Sequence, residues 1–331
     1  MTTPQDLEMA FLADIGGTNA RFALAQDGAP GEVITLAVAD YPSAYDAVAA
    51  ALRRFGASVP PGTARPGTAV LAFAGPVAEG RATMIDAGWN TTAAELHRRF
   101  GFAQIRLLND YSALALSLPH FEAADLRPIG PLRADCKLDR DKTLAVLGPG
   151  SGLGVAALLP GRPHPLPLAS EGGQATMAAA DSEETALLGL LRKKLGYVSA
   201  GRVLSGPGLV NLHECLALRH RLPAQRLTAA EITQGAVDGG DELCRLALEH
   251  FCRLLGSFAG NVALTFGATG GIFLGGGILP RFPDFLAASG FRARFEEKGR
   301  FKDYLAAIPT ALITRPDAAF PGLAAAARQL T

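Results

Sequence analysis

The run Phe-Leu-Ala-Asp-Ile-Gly-Gly-Thr-Asn-Ala-Arg-Phe-Ala-Leu at residues 11–24 constrains the fold more than any other stretch. Apolar residues lead into Asp14, a Gly-Gly-Thr-Asn turn follows, and a second apolar run leaves it. That pattern predicts two antiparallel strands joined by a tight turn. Gly16 and Gly17 permit φ > 0 and put no side chain between backbone and ligand. Consecutive N–H groups in such a turn form a concave anion site. Asp14, ending the first strand, is placed to hold a cation or its water shell beside phosphate. A bare Gly-Gly would mean a hairpin and nothing more, but Asp-x-Gly-Gly-Thr-Asn-x-Arg points to a phosphate site. Residues 143–158, Thr-Leu-Ala-Val-Leu-Gly-Pro-Gly-Ser-Gly-Leu-Gly-Val-Ala-Ala-Leu, repeat the layout. Two such hairpins predict two lobes facing each other across a nucleotide.

A chain of 331 residues is long enough for two domains. Lys plus Arg and Asp plus Glu each number 31, so no net field recruits nucleic acid or an anionic membrane. Cys136, Cys215, Cys244 and Cys252 lack CxxC spacing, and residues 1–8 lack the basic stretch of a secretory signal. Both features predict reduced thiols in a cytoplasmic protein. Residues 254–280 carry no charge, yet eight glycines interrupt them. They read as a buried helix, a turn and a strand rather than a membrane span.

Taken in order, the first lobe offers a strand at 33–39 and a helix at 43–55, with Tyr45, Val48, Ala49, Leu52 and Phe55 at helical spacing. A Pro- and Gly-rich loop at 58–67 precedes a strand at 68–74, with 81–85 expected to pair beside it. Thr92-x-x-Glu95 has the form of a capping box for a helix running to Phe100. A strand at 104–108 then delivers Asn109-Asp110, and a helix follows from Tyr111. Polar, irregular sequence spans 119–141. Beyond the second hairpin, Asp181-x-x-Glu184 caps a helix that stops at Gly196, Ser205-Gly-Pro-Gly208 opens another, and Thr228-x-x-Glu231 caps a third. The long helix 241–266 carries Gly256 and Gly260 on one face, an invitation to close approach by a neighbour. Strand 271–274 runs into Gly275-Gly-Gly277, like a βα junction whose N–H groups meet phosphate. A strand at 310–314 precedes an Ala-rich helix at 322–330, expected to pack back on the first lobe. This order predicts an α/β fold of mixed sheets flanked by helices.

Ligands of α/β sheets bind beyond the carboxyl ends of strands, where Asn109-Asp110 is expected. An Asp there takes the proton of a hydroxyl attacking phosphorus, and the competing role for either residue is to cap the next helix. Glu171, followed by Gly172-Gly173, reads either as an acceptor for two sugar hydroxyls or as a solvated loop glutamate. The histidines at 97, 120, 164, 213, 220 and 250 show no metal-ligand spacing. The glycines of 148–154 fail as a dinucleotide fingerprint because a strand-like run follows them, and no Gly-Lys-Ser/Thr completes a Walker loop.

Asp14-Ile-Gly-Gly-Thr-Asn-Ala-Arg21, Leu108-Asn-Asp-Tyr111, Gly150-Ser-Gly-Leu-Gly154, Ser170-Glu-Gly-Gly173, Arg202-Val-Leu-Ser-Gly-Pro-Gly-Leu209 and Phe273-Leu-Gly-Gly-Gly-Ile278 together resemble the bacterial glucokinase family. So does the tail Ser289-Gly-Phe-Arg-Ala-Arg-Phe-Glu-Glu-Lys-Gly-Arg-Phe301, and the match follows the family's order over nearly the whole chain. The resemblance implies a two-lobed actin-like ATPase fold with ribonuclease-H-like mixed sheets, and ATP and sugar in the interlobe cleft. The lobes would be 1–118 with 317–331, and 119–316. It implies phosphorylation of the 6-hydroxyl of glucose by ATP and Mg²⁺, giving ADP and glucose 6-phosphate. Ala13, Asp14, Ile15, Gly16, Gly17 and Thr18 would form the first phosphate loop, with Asp14 meeting Mg²⁺ through a bound water. Gly150, Ser151 and Gly152 would lie in the second, and Gly275, Gly276 and Gly277 near the adenosine. Asn109, Asp110, Glu171 and Gln174 would contact sugar, with Asp110 as general base. The family is cytoplasmic and often dimeric, so a homodimer with no nucleic-acid or membrane partner is expected.

Two positions depart from the family pattern. Gln174 stands where the family reads His after Glu-Gly-Gly, and Gly201 where it reads Glu in Ser-Ala-Glu-Arg. Both belong to the sugar pocket beside the anomeric carbon. They leave open a kinase for another hexose, or a non-catalytic sugar-binding regulatory protein on the same scaffold.

Overall fold

The first Gly turn does join an antiparallel pair, β1 (Met9–Ile15) and β2 (Asn19–Gln26), in a register that sets Asp14 opposite Arg21. The computed structural model describes residues 9–58, 66–85, 87–131, 141–223 and 225–330. Most of the loop expected at 58–67, part of the irregular stretch 119–141, and Cys136 lie outside them. The chain divides into two compact units, Met1–His120 with Pro316–Thr331, and Phe121–Arg315.

In the first unit the hairpin is followed by β3 (Ala29–Pro30), β4 (Ile34–Ala37), α1 (Ala44–Ser58), β5 (Thr68–Phe73), β6 (Val77–Ala78), β7 (Arg81–Met84), β8 (Trp89–Thr92), α2 (Ala93–Phe100), β9 (Gln104–Asn109) and α3 (Asp110–Ser117). The main sheet runs β3-β2-β1-β5-β9, with β4 also on β2. β1, β5 and β9 are parallel, and Ile15, Phe73 and Asn109 fall in one row at their carboxyl ends. β5 is buried along its whole length, as expected of a strand covered on both faces. Phe11, Phe22, Phe73 and Phe102 fill the core beneath α1 and α2. The C-terminal helix (Phe320–Arg328) packs on α3, β1 and β5, as its small residues predict. A Cβ on its Gly322 would lie 2.1 Å from the Ala113 carbonyl oxygen, so only glycine allows this approach.

Two local expectations are corrected. Residues 81–85 do not pair beside β5, whose free edge is taken by β9; β7 joins β6 and β8 in a separate three-stranded sheet. Gly75, at φ 156, turns the chain away there, so tightly that a Cβ would meet the Thr83 oxygen at 2.2 Å. Thr92 Oγ1 does accept the Glu95 N–H at 3.2 Å, but the capping box is only half made. The Thr92 N–H goes to the Tyr45 hydroxyl at 2.9 Å. Arg98 and Arg99 hold the Glu95 carboxylate instead, lowering its pKa to about 2.

The second unit contains β10 (Leu126–Pro128), β11 (Leu144–Pro149), β12 (Leu153–Leu159), β13 (Leu166–Ser170), α4 (Ser182–Leu195), α5 (Gly206–Arg219), α6 (Ala229–Val237), α7 (Glu242–Phe266), β14 (Gly271–Leu274), α8 (Pro283–Ala288), α9 (Phe291–Glu296), α10 (Lys302–Ala306) and β15 (Thr310–Ile313). Its sheet runs β10-β15-β14-β11-β12-β13, with β15, β14 and β11 parallel. A strand, β12, follows the second Gly turn, which is why that turn fails as a dinucleotide fingerprint. Asp181, Ser205 and Thr228 cap α4, α5 and α6 as predicted, and Thr228 with Glu231 completes a full box.

Helix α7 is the spine of this unit, and it ends at Gly267 (φ 59) as the glycine run requires. A Cβ at Gly256 would meet the Phe291 oxygen at 2.1 Å, and one at Gly260 the Phe295 oxygen at 2.7 Å. The two glycines therefore let α9 lie directly on α7. The signature tail from Ser289 to Phe301 completes the packing with cations. Arg292 caps the carbonyls of Ala306 (2.9 Å) and Ile308 (2.8 Å), and Lys298 reaches the Ser257 oxygen at 2.9 Å. Arg294 pairs with the fully buried Glu184, a contact whose one-sided removal costs about 3–5 kcal/mol. The tail's conspicuous residues thus hold the fold.

Candidate active site

In the first unit the site begins at the carboxyl ends of three parallel strands. The row Ile15, Phe73, Asn109 sets Asp14, the Gly16–Gly17 turn and Asn109-Asp110 along one sheet edge. Gly16 N–H donates to the Asn19 oxygen at 2.9 Å and closes the turn. Neither Gly16 nor Gly17 has a positive φ, so the conformational reason expected for them does not apply. Space accounts for Gly16, whose Cβ would sit 3.3 Å from the Asn19 oxygen, but not for Gly17, where a Cβ meets nothing within 4 Å. The fold makes no demand on Gly17 that a side chain would violate.

The roles of Asn109 and Asp110 separate. Asn109 is the cap of α3: its Oδ1 accepts from Tyr111 N–H (3.0 Å) and Ser112 N–H (3.3 Å), and its Nδ2 donates to the Gly75 oxygen (3.2 Å). Asp110 is the first residue of α3, where the helix dipole favours a carboxylate, and its Oδ1 accepts the Tyr111 N–H at 3.0 Å. Burial, with the negative charges of Asp110 and Asp14, raises the Tyr111 phenol pKa, so both carboxylates act on one phenol.

Asp14 is partly buried and faces the Arg21 guanidinium at 3.6 Å. Burial raises its carboxyl pKa; Arg21 opposes that rise, and Asp317 adds to it. Among the described residues no group of three His, Cys, Asp or Glu gathers to cage a metal. Mg²⁺ does not need such a cage, since it keeps waters and shares one or two carboxylates with phosphate oxygens. A single acidic side chain beside a glycine turn fits that donor set, and Asp14 is the residue that would hold the ion through its water.

The second unit builds its own glycine turns in the same way. Gly150 N–H closes the turn onto the Gly152 oxygen (2.8 Å), and Gly206 N–H at the start of α5 reaches the Gly150 oxygen (3.0 Å). Cβ atoms on Gly150 and Gly152 would also meet nothing within 4 Å. Gly275 N–H donates to the Leu147 oxygen at 2.8 Å, while Gly276 (φ 85) lies so close that a Cβ would be 2.4 Å from the Pro149 oxygen. Gly150, Ser151, Gly152 and Gly275–Gly277 thus share the carboxyl end of β11 and β14. The triple glycine is followed by a 3₁₀ turn, Leu279–Arg281, and then the short α8.

Glu171 follows β13 and is exposed, with no side-chain partner among the described residues. The turn behind it is locked against β12, because a Cβ on Gly173 would lie 2.0 Å from the Leu153 oxygen. Gln174 is exposed, and its carbonyl accepts the Tyr197 hydroxyl at 2.6 Å. Gly201 packs beside the same turn, where a Cβ would stand 3.2 Å from the Gly173 oxygen. Glu171, Gln174 and Gly201 therefore form one local surface of the second unit.

A family model described as glucokinase matches residues 11–330. This chain belongs to the glucokinase family. A glucokinase of Caulobacter sp. (strain K31) is 41% identical over 330 residues, covering 98% of this chain and 97% of that protein. One from Paramagnetospirillum magneticum is 43% identical over 319 residues, covering 96% and 97%. Among solved structures, a glucokinase from an Antarctic psychrotroph superposes with a TM-score of 0.84 at 36% identity, over 97% of this chain and 99% of that one. The fold class is the two-lobed actin-like α/β fold of these sugar kinases.

Beside the residues that sequence patterns singled out, the structure places two that they missed. Asp317, 303 residues beyond Asp14, reaches Arg21 Nε at 3.4 Å. Tyr197 ties the Gln174 turn to the segment around Gly201, where Met177 N–H also meets the Val198 oxygen at 3.0 Å. Neither lies in a recognisable motif, and contacts that close only in the fold leave no local trace.

Proposed function

We propose that this chain is an ATP-dependent glucokinase that moves the γ-phosphoryl group of ATP to the 6-hydroxyl of D-glucose. The bond formed is O6–P and the bond broken joins the γ-phosphorus to the bridging oxygen of ADP. Asp110 accepts the O6 proton as attack proceeds, and Asn109 holds the start of α3 so that this carboxylate keeps its place. The first unit would carry the turn Ala13–Thr18 and the base. The second would carry the turn at 150–152, the adenosine-side glycines 275–277 and the sugar-side residues Glu171 and Gln174. Mg²⁺, when bound near Asp14, supplies charge neutralisation to the phosphates. Turn N–H groups supply further positive potential, and the remaining contribution is positioning.

One observation carries this reading. Gly17, Gly150 and Gly152, at the tips of the two hairpins, have neither a positive φ nor a neighbour that would exclude a Cβ. Glycines that the fold leaves unconstrained, on turns beside Asp14 and beside Gly275–Gly277, are what close phosphate approach asks for. The same reading carries a cytoplasmic homodimer that recruits neither nucleic acid nor membrane. Its buried, unpaired Cys215, Cys244 and Cys252 suit a reducing compartment, and no helix among the described residues is long and apolar enough to cross a membrane. Light scattering tests the dimer.

Preference for a different hexose is favoured by one feature: Gly201 brings no side chain to the Glu171–Gln174 surface, and Gln174 brings a neutral one. Sugar-dependent ADP release across a hexose panel with Mg²⁺ decides among the readings. Release with glucose supports the proposal, and release with another hexose alone supports the second reading. Sugar binding without release points to a regulatory protein.

A further inference from the structure

Arg21 is suspended between two carboxylates. Its Nη1 lies 3.6 Å from Asp14 and its Nε lies 3.4 Å from Asp317. Both distances exceed an ordinary charge-assisted hydrogen bond, so the guanidinium is committed to neither. The two carboxylates differ in surroundings: the Asp14 side chain is 18% exposed and that of Asp317 37%. Asp317 belongs to the turn that opens the C-terminal helix, its carbonyl accepting the Phe320 N–H at 3.1 Å. Its φ is 50, in the left-handed region that non-glycine residues seldom adopt. From this turn the Asp317 side chain reaches Arg21, the residue paired across the strands with Asp14.

A lone Arg21 would close on Asp14, because a partly buried carboxylate gains more from a cation than an exposed one. A divalent cation at Asp14 would then compete with that pair and meet its positive charge. We propose that Asp317 is a positioning residue for the first phosphate turn: it draws Arg21 off Asp14 and leaves that carboxylate available to a phosphate-bound divalent cation. The proposal rests on the reading of Asp14 in the glucokinase mechanism. Asp317 itself touches neither phosphate nor metal in this scheme.

The sign of its effect depends on the metal. Removing the Asp317 charge weakens a nucleotide that arrives with Mg²⁺, because Arg21 then occupies Asp14. It leaves metal-free nucleotide, a bare anion that now faces one negative charge fewer, unchanged or tighter. Disruption of the turn would weaken both.

The test is calorimetric titration of ADP, with excess Mg²⁺ and separately with EDTA, into the full chain and its Asp317→Asn variant. Asn tolerates the left-handed region, and Asp317→Gly, which is at ease there, serves where Asn fails to fold. The expected result is MgADP binding weakened about two- to five-fold, the range of an exposed ion pair, with metal-free ADP not weakened. In an Arg21→Gln background the Asp317→Asn change is expected to add less than about 1.5-fold, because it acts through Arg21. Equal weakening with and without Mg²⁺, no change in either, or a full effect without Arg21 overturns the proposal. A wild-type chain that binds ADP equally with and without Mg²⁺ overturns the reading of Asp14, and the proposal with it.

Discussion

Substitution at Gly17 separates a turn built for the fold from a turn built for a ligand. A Cβ at this position meets no atom within 4 Å, and the backbone is outside the positive-φ region. Gly17→Ala therefore places its Cβ in open space at the tip of the β1–β2 hairpin, and Gly17→Val extends two methyls from the same point. Such a site changes folding stability by about 0.5 kcal/mol or less. Phosphate, however, must approach the turn closely to accept its N–H groups. Loss of one hydrogen bond to a charged oxygen costs about 1.5–3 kcal/mol, or about ten- to a hundred-and-fifty-fold in affinity. The expected outcome is an apo melting temperature within a degree or two of wild type. MgADP affinity and the KM for ATP should be worse by that factor, more for Val than for Ala, with the KM for glucose little changed. Gly173→Ala is the contrast, because its Cβ would lie 2.0 Å from the Leu153 oxygen and the fold itself must give. Calorimetry, thermal melts and steady-state kinetics on the three variants measure all of this. Unchanged ATP binding in Gly17→Val, or a melting temperature lowered as much as in Gly173→Ala, would refute the reasoning.

Asp110→Asn should keep the melting temperature and sugar binding while lowering kcat by about 10²–10⁴-fold, the usual worth of a positioned base; turnover near wild type would reduce Asp110 to a helix-start residue. Gly201→Glu with Gln174→His should raise glucose kcat/KM about ten-fold or more if a charged hydroxyl contact is what this pocket lacks. The Gly173 turn must first yield a few tenths of an ångström, since the new Cβ starts 3.2 Å from its oxygen, so a lower melting temperature should accompany the gain. Burial lowers the pKa of His213, whose Nε2 has no partner among the described residues. The unfolded chain then binds the extra proton first, so the contribution is present above about pH 6.5 and lost as pH falls through the folded-state value. Melting temperatures between pH 8 and 5 should drop less steeply in His213→Gln than in wild type, and parallel curves would contradict this.

Much of this architecture is legible in the sequence because its signals are local. Strand, Gly turn and strand announce both hairpins, Asp181, Ser205 and Thr228 announce their helices, and Gly267 ends α7. Gly256 and Gly260 even announce a close neighbour, though not that α9 supplies it. Where partners are distant in sequence the text is silent. The strand at 81–84 has no local mark telling β5 from β6 and β8 as its partner, and the deciding Gly75 reads like any turn glycine. Glu95 has the spacing of a capping box, but the nearby Arg98 and Arg99 outbid the Thr92 N–H for its carboxylate. At the site, Asn109 and Asp110 are equally plausible caps on paper; the register of β9 with β5 makes Asn109 the cap and starts α3 at Asp110. Asp317 has no motif at all, and its contact with Arg21 exists only because the C-terminal helix returns to the first unit.

Identification of the product tests the central claim most directly. The full chain is incubated with ATP, Mg²⁺ and D-glucose, and the mixture is followed by phosphorus–proton correlation NMR. The expected result is a new phosphorus resonance coupled to the two protons on carbon 6 of glucose, growing in step with ADP and absent without the sugar. ADP formed with no phosphorus on glucose, or phosphorus on any other carbon, would contradict it.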